Sequence, residues 1–237
     1  MTEETPAPVE APAPVEAPAP VRVLLVDDDP LVRTGLRLML RGAPDLAVVG
    51  EVADGAGVVD AVSRLQPDVV LMDVRMPYLD GIAATRALTA RGDGAPDVIV
   101  LTTFGDDANV VAALRAGAAG FLLKHAGPAE IVDAVRRSAA GEPVLSPAVT
   151  RTLIDRLTTR PAEDVRSAEA RRRMTALSRR EREVAAAVAE GLPNSEIAER
   201  LFMSVGSVKA HISSALTKLD LCNRIQLAIL AHDATDP

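Results

Sequence analysis

This 237-residue chain has no tryptophan, three phenylalanines and one tyrosine, so its interior has to be built from aliphatic side chains. Hydrophobic residues make up 48% of it, which is enough for a core of Val, Leu, Ile and Ala. A single cysteine, Cys222, excludes an internal disulfide and fits a reducing compartment. No apolar run approaches the roughly 18 residues of a spanning helix. The N-terminus is acidic and Pro-rich, without the charged-then-apolar order of a secretory signal. Together these absences predict a soluble, cytoplasmic protein with no membrane partner. Excess positive charge is also lacking: the net charge is −7, which argues against indiscriminate attraction to nucleic acid. The acidity is local, with −9 in residues 1–150, +3 in 151–173 and −1 in 174–237. Any contact with DNA must therefore come from local geometry.

What is present has a clear order. Residues 1–20 carry the near-repeat APAPVE. Proline fixes φ and lacks a donor, so this segment reads as an extended, disordered tail. From Val21 onward, VRVLLV, LAVVGEV, VVLM, VIVLT and GFLL each precede a helical pattern. Five such alternations predict a doubly wound α/β domain over 21–140, built on a five-stranded parallel sheet. The runs are apolar without alternation, as strands covered on both faces require. Residues 141–173 read as a linker with a helix near 147–158. Within it, 159–175 is charged and has no apolar stripe, so Arg171 to Arg173 read as solvated.

Residues 174–237 predict a small all-α domain of four helices. Ser178 and Glu181 match a capping box, and Gly191 with Pro193 ends that helix. Asn194 is placed to cap a second helix, ending near Leu201. Ser204 is placed to cap a third, whose core stripe would be Val208, Ile212, Leu216 and Leu219. On the fourth, Ile225, Ala228 and Ile229 suit a dimer contact and a core position equally.

The stretch VLLVDDDP ends a strand in three adjacent carboxylates. Asp29 precedes Pro30, a good N-cap followed by a good first helical residue. Asp27 and Asp28 are left at the strand tip, and VVLMD ends in Asp73. If the first and third strands are neighbours, these carboxylates converge, and crowded carboxylates either share a proton or hold a hard cation such as Mg²⁺. Thr102 ends the fourth strand and Lys124 follows the fifth. Carboxylates, a hydroxyl and an ammonium around one carboxylate nucleophile suit phosphoryl transfer onto Asp73.

VLLVDDDPLVR, DVVLMDVRMPYLDG, VIVLTTF and GAAGFLLKHA resemble the receiver domain of two-component response regulators, over about 120 residues in the same order. The resemblance implies strand order 2-1-3-4-5 and phosphorylation of Asp73 by a sensor histidine kinase. It further implies Mg²⁺ held by Asp27, Asp28, Asp73 and the backbone carbonyl of Arg75. Thr102 and Lys124 would hold the phosphoryl group, and Phe121 fits the aromatic switch position. Lys124 is followed by His125 where many receivers have proline, and His125 reads as a surface side chain.

LSRREREVAAAVAEGLPNSEIAERLFMSVGSVKAH resembles the LuxR-type helix-turn-helix that follows receivers of the NarL/FixJ group. The helix-turn-helix spans about Asn194 to Ser213. Helical steps turn Ala210, Ser213 and Thr217 away from the core stripe, with Lys209 on the flank, as candidate DNA contacts. The expectation is a response regulator that dimerises when phosphorylated, binds double-stranded promoter DNA and regulates transcription. It would lose its phosphoryl group slowly and would not be a multiple-turnover enzyme. A Mg²⁺-dependent phosphohydrolase would share the carboxylate pocket but would have no use for the C-terminal helices.

Overall fold

The computed structural model describes residues 19–91, 94–102, 107–145 and 163–235. Most of the Pro-rich segment and the expected helix at 147–158 lie outside the described residues. The first part of the chain alternates strand and helix as β1 (Val21–Val26), α1 (Pro30–Arg41), β2 (Leu46–Val52), α2 (Val58–Leu65), β3 (Val69–Asp73), α3 (Gly81–Thr89), β4 (Asp97–Thr102), α4 (Asp107–Ala116), β5 (Gly120–Leu123) and α5 (Pro128–Ala139). A two-residue strand, β6 (Val144–Leu145), closes the series. All strands are parallel, in the order β2-β1-β3-β4-β5-β6. The sheet thus has a sixth strand beyond the five expected. Val144 and Leu145 pair with Gly120 and Phe121, and two residues are too few for a periodic signal.

Alternation along each strand sends neighbours to opposite faces. Val23, Leu25, Leu71, Ile99 and Leu101 pack under α1 and α5, while Leu24, Val26, Val70, Met72 and Val100 pack under α2, α3 and α4. Both faces are covered, which explains the uninterrupted apolar runs. Full burial of one such side chain contributes about 1.5–3 kcal/mol, so the layered core can support a polar rim at its carboxyl edge.

Local chemistry sets that edge. The Asp29 side chain accepts the Leu31 N–H at 2.8 Å, with Pro30 opening α1, as read from the sequence. Asp80 caps α3 by accepting from Ala83 N at 2.7 Å. Gly81 must be glycine, because a Cβ there would fall 1.8 Å from the Asp73 carbonyl oxygen. Helix α3 therefore starts directly over the tip of β3.

Among the described residues, the C-terminal part is made of the helices α6 (Glu163–Met174), α7 (Arg179–Ala189), α8 (Asn194–Leu201), α9 (Val205–Leu219) and α10 (Arg224–Thr235). Helix α6 corrects the reading of 159–175 as part of the charged linker, since Glu163–Met174 is helical. It packs on α10, and the residues of known burial that it buries are small, Ser167 and Ala170. Arg173 fastens it by donating to the Leu219 carbonyl at the end of α9. The capping box at Ser178 and Glu181 forms as expected. Glu181 also accepts from Lys218 Nζ at 2.7 Å and Ser214 Oγ at 2.6 Å, tying α7 to α9. On α9 the buried stripe is Val208, Ile212, Ala215 and Leu219, with Leu216 only half-buried. Ala215 takes the core place expected of Leu216, which packs against the helical core only in part and also lines the cleft toward the sheet domain.

Among the described residues, no helix is long and apolar enough to cross a membrane.

Candidate functional site

Register brings the strand ends together. Val26 pairs with Met72, so Asp27 and Asp73 leave adjacent strands at the same level. Asp73 pairs with Leu101 and Thr102 with Leu123, which sets Thr102 and Lys124 one step further along the edge. The Lys124 N–H donates to the Thr102 carbonyl at 2.8 Å. The carboxylates of Asp27, Asp28 and Asp73 come within 4.8 Å of one another. Asp27 is 0% exposed and Asp73 4%, whereas Asp28 faces solvent.

Lys124 Nζ bridges the two buried acids, 2.8 Å from Asp27 Oδ2 and 2.9 Å from Asp73 Oδ1. Burial raises the Asp73 pKa, and the charge of Asp27 adds to that. Lys124 and the Arg75 N–H pull it down without cancelling the rise. Burial also works against the Lys124 ammonium, but its bonds to Asp27 and Asp73 outweigh that and raise its pKa.

The donor set fits a divalent hard cation. Three carboxylates face a single ammonium, which leaves two negative charges uncompensated if all are ionised. Asp27 Oδ1 accepts the Asp29 N–H at 2.9 Å. Its buried Oδ2 has the Lys124 ammonium at 2.8 Å and no other polar partner. A buried carboxylate oxygen with lone-pair capacity left, beside two other carboxylates, is a group that an oxygen-seeking cation would satisfy. Arg75 lies in the loop after Asp73, near this edge. Phe121, 1% exposed, points inward and packs in the core beneath α4. His125 is exposed, in keeping with a surface side chain.

On α9, Lys209, Ala210, Ser213 and Thr217 are all exposed. Three of them nevertheless line a cleft of about 520 Å³ between α9 and the sheet domain. Lys209 Nζ donates to the Ala139 carbonyl at 3.1 Å. Asn194 corrects an expectation: it is the first helical residue and caps nothing with its side chain. Its Nδ2 instead donates to the Ala140 carbonyl at 2.8 Å, while its Oδ1 accepts from Arg224. Arg224 also donates to the Gly141 carbonyl at 2.7 Å. Burial lowers the Arg224 pKa, partly offset by Glu142.

A second group grips α4. Asn223 Nδ2 donates to the carbonyls of Leu114 and Ala118 at 3.0 and 2.8 Å, and Gln226 Nε2 donates to Leu114 at 2.8 Å. Ile225, between them in sequence, is buried in the core beneath α4, where Ile229 also packs. In this arrangement both cover the sheet domain, and only Ala228 packs within the helical domain. Sequence reasoning missed Asn223, Gln226 and Arg224, because their partners across the domains are backbone carbonyls and no motif marks such a pairing.

The comparisons agree with both parts of the chain. Residues 23–136 match the response regulator receiver domain family, and residues 175–231 match the luxR family of bacterial regulatory proteins. The transcriptional regulatory protein LiaR of Bacillus subtilis (strain 168) is 42% identical over 211 residues, covering 89% of this chain and 96% of LiaR. The crystal structure of the response regulator ChrA of a heme-sensing two-component system is 37% identical, with a TM-score of 0.50, over 90% of this chain and 97% of that one. A structure of two RcsB dimers bound to two parallel DNAs is 27% identical, with a TM-score of 0.52, over 91% of this chain and 100% of that one. The chain belongs to the two-component response regulators that join a receiver domain to a LuxR-type helix-turn-helix.

Proposed function

We propose that Asp73 is the phosphoacceptor and that its phosphorylation governs promoter binding by α9. The observation that carries this reading is Lys124 Nζ held between Asp27 and Asp73, at 2.8 and 2.9 Å, beside the exposed carboxylate of Asp28. The receiver would span 21–140 and the DNA-binding domain 174–237. Asp27, Asp28, Asp73 and the Arg75 carbonyl would hold Mg²⁺, which when bound neutralises charge on phosphoryl oxygens. An Asp73 carboxylate oxygen attacks the phosphorus of a phosphohistidine on a sensor kinase. The new O–P bond forms as the N–P bond breaks, and the imidazole leaves with its electron pair. Lys124 then pairs with a phosphoryl oxygen, and the Thr102 hydroxyl donates to another. The acyl phosphate leaves by slow hydrolysis, so the protein is a switch and not a multiple-turnover enzyme.

The output is geometric. The α9 face carrying Lys209, Ser213 and Thr217 looks into the cleft against the receiver, which would hinder its entry into a DNA groove. Phosphorylation would act through Thr102, α4 and Phe121 to loosen the grip of Asn223 and Gln226 on Leu114, shifting the population toward an open form. Lys209, Ala210, Ser213 and Thr217 would then enter the major groove. The near-neutral charge of residues 174–237 favours binding as a homodimer, the assembly named for RcsB on DNA. Such a protein would work in the cytoplasm.

The test is incubation of the full chain with Mg²⁺ and acetyl phosphate, followed by mass measurement. The expected result is one phosphoryl group, absent from Asp73→Asn and from samples in EDTA. A full adduct on Asp73→Asn overturns the assignment.

A further inference from the structure

We propose that Arg33, braced by Glu51, is a positioning residue that holds the Asp27–Asp28 tip in its cation-binding shape. This rests on the carboxylate pocket proposed above and extends it to two residues outside that pocket.

The tip is pinned from several sides. Strand β1 ends at Val26, so the main chain of Asp27 lies just beyond it. The Asp27 N–H donates to the Val52 carbonyl at 3.2 Å. Its carbonyl accepts from Arg33 Nη1 at 2.6 Å. Arg33 Nε in turn donates to Glu51 Oε2 at 3.2 Å, and Arg37 Nη1 donates to Glu51 Oε1 at 2.7 Å. Glu51 lies near the end of β2, the neighbour of β1, and Arg33 stands on the first turn and a half of α1. The brace therefore joins the three elements that meet at the tip.

Residue by residue, the consequence is a division of labour among three adjacent acids. Asp27 has its main chain fixed on both sides and its Oδ1 fixed by the Asp29 N–H, so Oδ2, which meets the Lys124 ammonium at 2.8 Å, is the oxygen turned into the pocket toward a cation. Asp29 is fixed as the cap of α1. Asp28 is suspended between two immobilised neighbours with its carboxylate outward. A side-chain guanidinium on a main-chain carbonyl is a directional contact, suited to setting the orientation of a ligand it does not itself replace.

The exposures support this role over a purely stabilising one. The Arg33 side chain is 16% exposed and Glu51 27%, so both charges have surrendered much of their hydration. Partly buried ion pairs return little net stability for that loss, and their best use is to specify geometry. Placed where the pair touches Asp27, the geometry specified is that of the cation ligands.

The experiment measures Mg²⁺ binding to the full chain by isothermal titration, with thermal melting in EDTA alongside. Arg33→Met keeps the aliphatic stem and removes the donors, and Arg33→Lys restores the charge without the fork. Arg136→Met breaks the Arg136–Asp45 pair, an ion pair of 2.7 Å remote from the tip, and controls for loss of a surface bridge. Outer ligand contacts typically change metal affinity by about 10–100-fold. Arg33→Met is expected to weaken Mg²⁺ binding at least about tenfold, Glu51→Gln less, and Arg33→Lys to recover part of the loss. Arg136→Met should bind as the wild type does. Wild-type affinity in Arg33→Met overturns the brace while leaving the pocket intact. Absence of Mg²⁺ binding by the wild-type chain overturns the pocket reading, and the brace with it.

Discussion

Lys209 donates its ammonium to the Ala139 carbonyl at 3.1 Å, so a candidate DNA contact on α9 is engaged by the last turn of α5. A cation at a helix C-terminus is favourably placed against the partial negative charge there. Asn194 and Arg224 make parallel donations to Ala140 and Gly141. The helical domain thus caps the end of α5 with Lys209, of the proposed DNA-reading face, together with Asn194 and Arg224.

The grip on α4 can be separated from the fold of α10. Asn223 Oδ1 accepts the Gln226 N–H at 2.8 Å, while Nδ2 serves Leu114 and Ala118. Asn223→Asp keeps an acceptor for the cap and turns a carboxylate toward two carbonyls. Loss of satisfied buried hydrogen bonds costs about 1–3 kcal/mol, which should open the domains in the unphosphorylated protein. DNA selected from a random pool should then bind about tenfold or more tightly without phosphodonor, and small-angle scattering should report a larger radius of gyration. Unchanged affinity and radius would remove the closed arrangement from the account of regulation.

Metal linkage gives a second test. A ligand at 100 times its Kd stabilises the folded state by about 2.7 kcal/mol, so Mg²⁺ should raise the melting temperature above that in EDTA. Asp28 is exposed, and its loss leaves the buried Asp27–Lys124–Asp73 contacts in place. Asp28→Asn should therefore melt in EDTA as the wild type does and gain little from Mg²⁺. A full Mg²⁺ response in Asp28→Asn would take that carboxylate out of the site.

The two halves of the mechanism differ in how far sequence alone reveals them. Asp27, Asp73, Thr102 and Lys124 each end or follow an uninterrupted apolar run. Parallel strands in register deliver such ends to one edge, so the pocket was readable before any coordinates. Asn223, Asn194 and Ile225 carry no such signal. Their partners are main-chain carbonyls and a core surface in the other domain, and a carbonyl is the same at every residue. Helix α6 escaped notice for a related reason, since Ser167 and Ala170 bury too little to form a stripe. The tips of regular elements are legible, whereas contacts between domains depend on a packing that no local pattern encodes.

Glu181 makes the helical domain acid-sensitive. Its bonds from Lys218 and then Ser214 outweigh burial and hold its pKa at about 2, below the ordinary 4.5. A depressed carboxylate contributes stability that is complete above the unfolded value and lost as pH falls toward 2. Hydrogen bonds to a charged group contribute about 1.5–3 kcal/mol each. Glu181→Gln should be destabilised at pH 7, and the difference from wild type should shrink as pH drops from about 4.5 toward 2. Denaturant melts across that range read both effects, and a pH-independent difference would assign Glu181 a packing role only.

Asp97 predicts the opposite slope at the cleft. It opens β4, accepts from Ser138 Oγ at 3.3 Å and lines the cleft with Lys209. Burial raises its pKa to about 6, with Ser138 and Lys209 only partly opposing the rise. A raised carboxylate keeps the native state most favoured at low pH, and stability falls as pH climbs from the ordinary value near 3.8 to about 6. Above that the penalty is constant, roughly 3 kcal/mol at most at about 1.36 kcal/mol per unit of pKa. Asp97→Asn removes the charge and keeps an oxygen for the Ser138 hydroxyl, so it should stabilise the protein at pH 7.5 and have little effect at pH 4. Because the same carboxylate faces Lys209, the variant at pH 7.5 should also bind DNA less readily if its gain is realised in the closed form. A gain in melting temperature with unchanged DNA affinity would place the Asp97 penalty within the receiver and not at its contact with α9.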